Sequence, residues 1–248
     1  MQDHPAQTRP AARQPAFETE DAARAAIVQA CLRMSALGIN QGKAGNVSLR
    51  WDRGGAQGML VTPSALPYEQ MAADDVVWMS LDVLAQADGD PAPAIVDGRC
   101  RPSSEWRMHR DAYAARADAN ALVHSHASYA STLSCVPRIQ AEGIPAFHYM
   151  VAVAGGADIR CARYATFGTQ ALSDRAMAAL QGRRACLLAN HGLLALGGTL
   201  ESALALAVEV ETLARMYWQA LQLGEPTVLD ATEMARVAER FAGYGPGA

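Results

Sequence analysis

The stretch "ALVHSHASYA", Ala121 to Ala130, sets His124 and His126 two positions apart at the end of an apolar run. In a strand, residues so spaced point to one face with Cα atoms roughly 6.5–7 Å apart, a span that two imidazoles can close around one metal ion. On a helix the same pair would point about 200° apart and could not share an ion. The apolar "ALV" before them favours the strand. His191 in "ANHG" interrupts two further apolar runs, where a polar ring needs a reason to be, and makes a third candidate ligand. Glu105, just inside a helix that follows "PSS", is a candidate fourth. Three imidazoles and a carboxylate suit a divalent first-row ion and Lewis-acid chemistry. The residues alone leave open the plainer reading of core or surface histidines bonded to backbone. His109, one turn after Glu105, is expected to pack or cap within its helix, and His4 is given no role.

Three short polar segments suit an anion. "AGNVS" carries Gly45 and Asn46, residues that tolerate left-handed turns and leave backbone amides exposed. "VTPS" puts Thr62 and Ser64 at a strand end, and "PSSE" puts Ser103 and Ser104 at a helix N-terminus, where free amides and the helix dipole attract negative charge. Each has an ordinary explanation when taken singly, since Ser103 or Ser104 is also a normal helix cap. Their weight comes from occurring together with the metal triad.

The elements that must position these residues are partly readable. Ile27, Cys31, Met34 and Leu37 mark one face of a helix over about 19–37, and Gly38 stands where a C-terminal cap belongs. "GKAGNVSLRW" and "GMLVTPS" read as a hairpin around the loop "DRGGAQG", and "DVVWMSL" as a third strand. Residues 82–99 are expected to be loops with one short edge strand. A helix follows "PSSE" to about residue 117, "ALVHSH" is a strand, and "ACLLANHGLLALG" suggests two buried strands meeting at a turn. A long helix over about 199–223 and a last one in "TEMARVAERFAGYG" complete the chain. This is one α/β domain around a mostly antiparallel sheet.

Bulk properties narrow the function. The 248 residues are half hydrophobic with mean hydropathy −0.02, as in a water-soluble globular protein. A net charge of −4 argues against nucleic-acid binding, and no run reaches the length of a membrane span. The N-terminal "MQDHPAQTRPAARQPAF" lacks the apolar centre of a secretory signal, so residues 1–18 are expected to be a disordered lead and 19–248 the working domain. Five scattered cysteines suggest reduced, mostly buried thiols in a cytoplasmic protein.

Four segments then carry a resemblance. "LGINQGKAGNVSLR", "PSSEWRMHRDAYAARADANALVHSH", "IPAFHYMVAVAGGADIRCARYATFGTQALS" and "LLANHGLLALG" resemble the class II aldolase/adducin family, from about residue 22 to 244. They are most similar to its members that cleave L-fuculose 1-phosphate. The resemblance implies a single three-layer α/β/α domain with a central, mostly antiparallel sheet. It implies reversible cleavage of a ketose 1-phosphate to dihydroxyacetone phosphate and a small aldehyde such as L-lactaldehyde.

In that frame His124, His126 and His191 hold one divalent ion per subunit, zinc first with Mn²⁺ or Co²⁺ as alternatives. Glu105 is the catalytic carboxylate and approaches the metal in the empty enzyme. Gly45, Asn46, Ser64, Ser103 and Ser104 match phosphate-holding positions. Tyr149 matches an acid that enters from a neighbouring subunit of a homotetramer, and Phe167 and Tyr244 match positions that shape the aldehyde end. A pentulose-phosphate 4-epimerase, a dehydratase or a decarboxylase of the family would share the site, whereas an adducin-like binding module would need no metal. The family's "TPTG" is "TPSA" here, so Ala65 replaces a glycine, and Tyr129 stands where the fuculose enzymes have a histidine.

Overall fold

Thr19 begins the first helix, α1 (Glu20–Ala36), its hydroxyl accepting from the Ala22 amide while Glu20 and Asp21 load the first turn with the charge the helix dipole favours. Gly38 just beyond it takes the left-handed φ of 69° that a C-terminal cap requires. The computed structural model describes residues 17–86 and 90–242. Of the expected N-terminal lead, residues 1–16 with His4 lie outside the described residues, as does Tyr244.

After α1 come the hairpin strands β1 (Asn46–Arg50) and β2 (Gly58–Val61), then β3 (Val77–Ser80). The next segment holds three two-residue strands, β4 (Val83–Leu84), β5 (Ala92–Pro93) and β6 (Val96–Asp97), where one was expected. The helix α2 (Trp106–Ala115) leads to β7 (Ala121–Ser125). The short helices α3 (Ser128–Ser134) and α4 (Pro137–Glu142) follow, then β8 (Ile144–Pro145), β9 (Asp158–Ile159) and β10 (Cys161–Ala162). The chain closes with α5 (Gln170–Ala179), β11 (Ala185–Leu188), β12 (Gly192–Gly197), α6 (Leu200–Leu223) and α7 (Ala231–Ala242). Sequence periodicity did not reveal α3 and α4, because six or seven residues are too few to show an apolar repeat. The ten-residue α5 carried a readable signal in Thr169, whose hydroxyl caps it by accepting from Leu172 N.

The main sheet has the order β10-β11-β12-β7-β1-β2-β3-β6, with only the β10–β11 pair parallel. Alternation along its strands sorts the core into two layers. Val47, Leu49, Leu60, Val123 and Leu193 pack beneath α1, α3 and α6. Met59, Val61, Leu122, Leu188 and Leu194 pack with α2 and α5 on the other face. The architecture is therefore the three-layer α/β/α arrangement, in one domain. Among the described residues no helix is long and apolar enough to cross a membrane. All five cysteines are free thiols, but only Cys31 and Cys186 are buried and Cys135 is exposed, which corrects the expectation of mostly buried thiols.

One stretch of the α2-facing side breaks the apolar pattern. Asn46 and Ser48 on β1, and His124 on β7, point towards α2, with Asn46 and His124 directly paired across the strands. Facing them are Glu105, His109 and Tyr113, spaced by four along α2 and so stacked on one stripe.

Candidate metal centre

His124 lies near the end of β7, fully buried, and its Nδ1 donates to the Leu193 carbonyl on the neighbouring β12 at 2.8 Å. That bond fixes the tautomer and leaves the Nε2 lone pair facing inward. The strand ends at Ser125, so His126 lies one residue beyond it rather than within it. Its backbone N–H is held by the Asn40 side chain at 3.0 Å, and its Nε2 comes within 3.2 Å of His124 Nε2. His191 arrives from the turn between β11 and β12. Asn190 there takes a left-handed φ of 55°, which asparagine tolerates, and a Cβ at Gly192 would lie 2.3 Å from the Ser125 carbonyl. The turn "NHG" is thus dictated by close backbone packing that aims His191 at the other two rings. The three ligand atoms lie within 4.8 Å of one another.

Glu105 is the N-terminal flanking residue of α2, one position before the first helical residue and not inside the helix as expected. Its Oε2 lies 3.2 Å from His124 Nε2 and its Oε1 3.3 Å from His191 Nε2. Asn46 Nδ2 donates to Oε2 at 2.8 Å, while Oε1 is buried with no hydrogen-bond partner. Burial alone would raise the pKa of Glu105, but His124, His191 and the Asn46 amide outweigh it and hold the carboxyl well below the ordinary range. Burial pushes His126 down to about 4 and His191 down to about 3, so both are neutral donors at neutral pH. For His124 burial lowers and Glu105 raises, and the carboxylate wins.

This donor set fits a divalent cation. A lone pair on His124 Nε2 aimed at an ionised carboxylate oxygen is repulsive unless a proton or a cation stands between them. Three converging imidazoles and an unpartnered carboxylate oxygen are what such an ion would satisfy.

The expected phosphate segments are brought together by backbone pairing. Pro63 bridges Pro102, Ser64 N bonds Arg101 O, and Ser103 N bonds Thr62 O, so "TPSA" lies alongside "RPSSE". Ser64 and Ser104 are exposed; Ser103 is buried, with its Oγ accepting from Glu105 N at 3.3 Å, a local capping bond. Gly45 is buried, and a Cβ there would sit 2.7 Å from the His124 carbonyl, so close approach explains the glycine. Asn46 spends its amide on Glu105 and His109.

Phe167 is 67% exposed, and its neighbour Gly168, at φ 76°, lies against the Ser104 carbonyl, which places this loop beside the α2 N-terminus. Tyr149 opens a 3-10 turn (Tyr149–Ala154), is half exposed, and has His148 and Phe241 as ring neighbours. Neither of them belongs to the triad.

Several residues of the site escaped the sequence reading. Asn40 links the "GKAG" turn to His126, and Tyr68 OH donates to the Gly45 carbonyl at 2.5 Å. Glu211 on α6 accepts from both Tyr129 N and Ala130 N, capping α3 immediately after His126. The spacing by four of Glu105, His109 and Tyr113 was a visible signal; their strand partners, some 60 positions away, were not.

A buried carboxylate among three imidazoles, at the end of a central antiparallel sheet in an α/β/α sandwich, is a site that could hold a divalent cation beside a general base. Residues 25–218 match the model of the family described as Class II Aldolase and Adducin N-terminal domain. A 5-methylthioribulose-1-phosphate/5-deoxyribulose-1-phosphate aldolase of Rhodospirillum rubrum is 47% identical, covering 92% of this chain and 94% of that protein. An L-fuculose phosphate aldolase of Escherichia coli is 46% identical over 88% of this chain and 94% of its own. A solved structure of L-fuculose 1-phosphate aldolase superposes with a TM-score of 0.76 at 38% identity, covering 88% of this chain and 95% of that one. The chain belongs to the class II aldolase and adducin family, and within it to the aldolases.

Proposed function

We propose that this protein reversibly cleaves a ketose 1-phosphate to dihydroxyacetone phosphate and a small aldehyde, as a homotetramer in the cytoplasm. The observation that carries the reading is Glu105, an ionised buried carboxylate with one oxygen tied to Asn46 and the other unpartnered amid the triad. His124, His126 and His191 would hold the divalent ion, zinc by preference with Mn²⁺ or Co²⁺ as alternatives. When bound, the ion supplies Lewis-acid polarisation of the donor's oxygens. Glu105 takes the proton from the reacting carbon. Ser64, Ser103 and Ser104, grouped at the α2 N-terminus, hold the phosphate and thereby orient that carbon towards the carboxylate. Tyr149, half exposed and without a triad neighbour in its own chain, serves an adjacent subunit by giving its proton to the aldehyde oxygen.

The default substrate is L-fuculose 1-phosphate, giving L-lactaldehyde. A second reading, 5-deoxy- or 5-methylthio-ribulose 1-phosphate, is favoured by Tyr129, whose ring packs against Trp218 at 5.6 Å and adds apolar surface just after His126. Assaying the metal-loaded protein across these ketose 1-phosphates tests both. Cleavage of none of them would overturn the reading, and a preference for the ribulose derivatives would select the second.

A further inference from the structure

Behind Glu105 runs a buried chain of side-chain hydrogen bonds that the reaction as described does not use. Tyr113 OH meets Ser48 Oγ at 2.6 Å, Ser48 Oγ meets His109 Nδ1 at 2.7 Å, His109 Nε2 bonds Asn46 Oδ1, and Asn46 Nδ2 bonds Glu105 Oε2 at 2.8 Å. His109 and Ser48 are fully buried and Asn46 and Tyr113 nearly so, out of reach of competing water.

The direction of every bond is forced. An ionised carboxylate only accepts, so Asn46 must present its NH₂ to Glu105 and its carbonyl oxygen to His109. A carbonyl oxygen only accepts, so His109 must carry its proton on Nε2, which leaves Nδ1 as an acceptor. Ser48 therefore spends its one proton on Nδ1, and Tyr113 must donate to Ser48. Burial holds His109 neutral, down to about 3, and pushes the Tyr113 phenol up, so both ends of this logic keep their protons. Arg50 fixes the phenol end, its guanidinium lying 5.0 Å from the Tyr113 ring centre and donating to the Tyr113 carbonyl.

We propose that His109 is a positioning residue for Glu105, acting through Asn46 to tie down Oε2 and leave Oε1 as the oxygen that takes the proton. The proposal rests on Glu105 being the base. A flipped Asn46 amide would turn an acceptor towards the carboxylate, and His109 is what makes the flip costly. The chain thus sets the rotation of the carboxylate plane relative to the triad, and it makes Asn46 part of the base's support.

The test compares His109→Gln, which keeps a donor near the Nε2 position, with His109→Asn, which reaches only the Nδ1 position. In the metal-loaded enzyme, His109→Asn should lower kcat by about 10–100-fold with KM unchanged and metal content still stoichiometric. His109→Gln should recover most of that loss. Equal losses in the two variants, or a loss confined to KM, would overturn the proposal. Should His109→Asn fail to fold, Ser48→Ala removes the donor to Nδ1 one link further out and should also lower kcat at constant KM; wild-type kcat there would overturn it.

A second readout needs neither metal nor turnover. The Asn46 side-chain amide, followed by NMR in metal-free protein, should exchange its protons slowly in wild type and His109→Gln and quickly in His109→Asn. Identical exchange in all three would overturn the chain of bonds. The expected exchange pattern in a wild-type protein inactive on every ketose phosphate would support the chain and remove the aldolase reading instead.

Discussion

The two halves of this site are built differently. The half that would hold the metal and the base has Glu105, His124 and Asn46 buried and His126 and His191 half-buried. It is set on β1, β7, the start of α2 and the turns beside β7 and β12, and is cross-braced by side-chain and backbone hydrogen bonds. The half that would meet the phosphate and the aldehyde is spread over exposed residues: Ser64, Ser104, Phe167 and, on another part of the surface, Tyr149. Proton abstraction needs a carboxylate fixed in place, which only packed elements provide. Recognition of the leaving aldehyde tolerates loops and, on the proposal made for Tyr149, would be completed by a neighbouring subunit. The chemistry can therefore stay constant while the aldehyde changes, which is consistent with relatives of nearly equal identity being named for different ketose phosphates.

The largest effect should come from the buried half. Glu105→Gln keeps the size and removes the base, so hydrogen exchange at the reacting carbon of dihydroxyacetone phosphate and aldol turnover should both fall by about 10⁴-fold. Exchange that survives in this variant would take the base away from Glu105. The exposed half should separate the two steps. Tyr149→Phe should leave exchange intact while carbon–carbon bond formation drops by about 10²–10⁴-fold. Mixed tetramers of the two inactive variants should regain activity if Tyr149 crosses between subunits. Confirmed hybrids without activity would place both residues in one chain's site.

Acid should damage the buried half first. His109, His126 and His191 have folded-state values of about 3, 4 and 3, below the 6.5 of a free imidazole. The unfolded chain then binds more protons than the folded one between those values and 6.5, so stability falls as pH drops through that window. Metal-free protein should lose melting temperature steadily from pH 6.5 towards 4. A flat profile over that range would mean the three rings are not held neutral. On the exposed half, Ser104→Ala should weaken dihydroxyacetone phosphate binding by about 1–3 kcal/mol, read as its inhibition constant. An unchanged constant would remove Ser104 from the phosphate site.

The same division decides what the sequence could show. His124 was legible because the apolar run before it marks a strand, and His126 was read beside it although it lies one residue past the strand's end. Glu105 was legible because "PSSE" announces a helix start. The main strands and the long helices α1 and α6 were legible from their apolar periods. The helices α3 and α4 were not, since α3 owes its start to Glu211, some 80 residues further along the chain. His109 was read as a packing residue because its partners, Asn46 and Ser48, reach it only through the pairing of β1 with β7 and the docking of α2 on that face. Register and docking are set by the whole core, and no local pattern around His109 reports them.

The smallest expected effect concerns Ala65, at the edge between the two halves. The chain there takes a φ of 61°, the left-handed region where a Cβ meets the following carbonyl, at a cost of about 1–2 kcal/mol. The strain is held in place because the flanking backbone is pinned by the Pro63–Pro102 bridge and by Ser64 N to Arg101 O. Ala65→Gly relieves it but gives the unfolded chain more freedom, worth about 0.4–1 kcal/mol in the opposite direction. The net should be a stabilisation of about 0.5 kcal/mol, read as a small rise in the denaturant midpoint at constant slope. Removing the methyl also opens the backbone beside Ser64, so the inhibition constant of dihydroxyacetone phosphate should fall or stay level. A weaker phosphate complex in Ala65→Gly would show that the strained loop holds Ser64 in its binding position, and the exposed half would then be as pre-set by its backbone as the buried one.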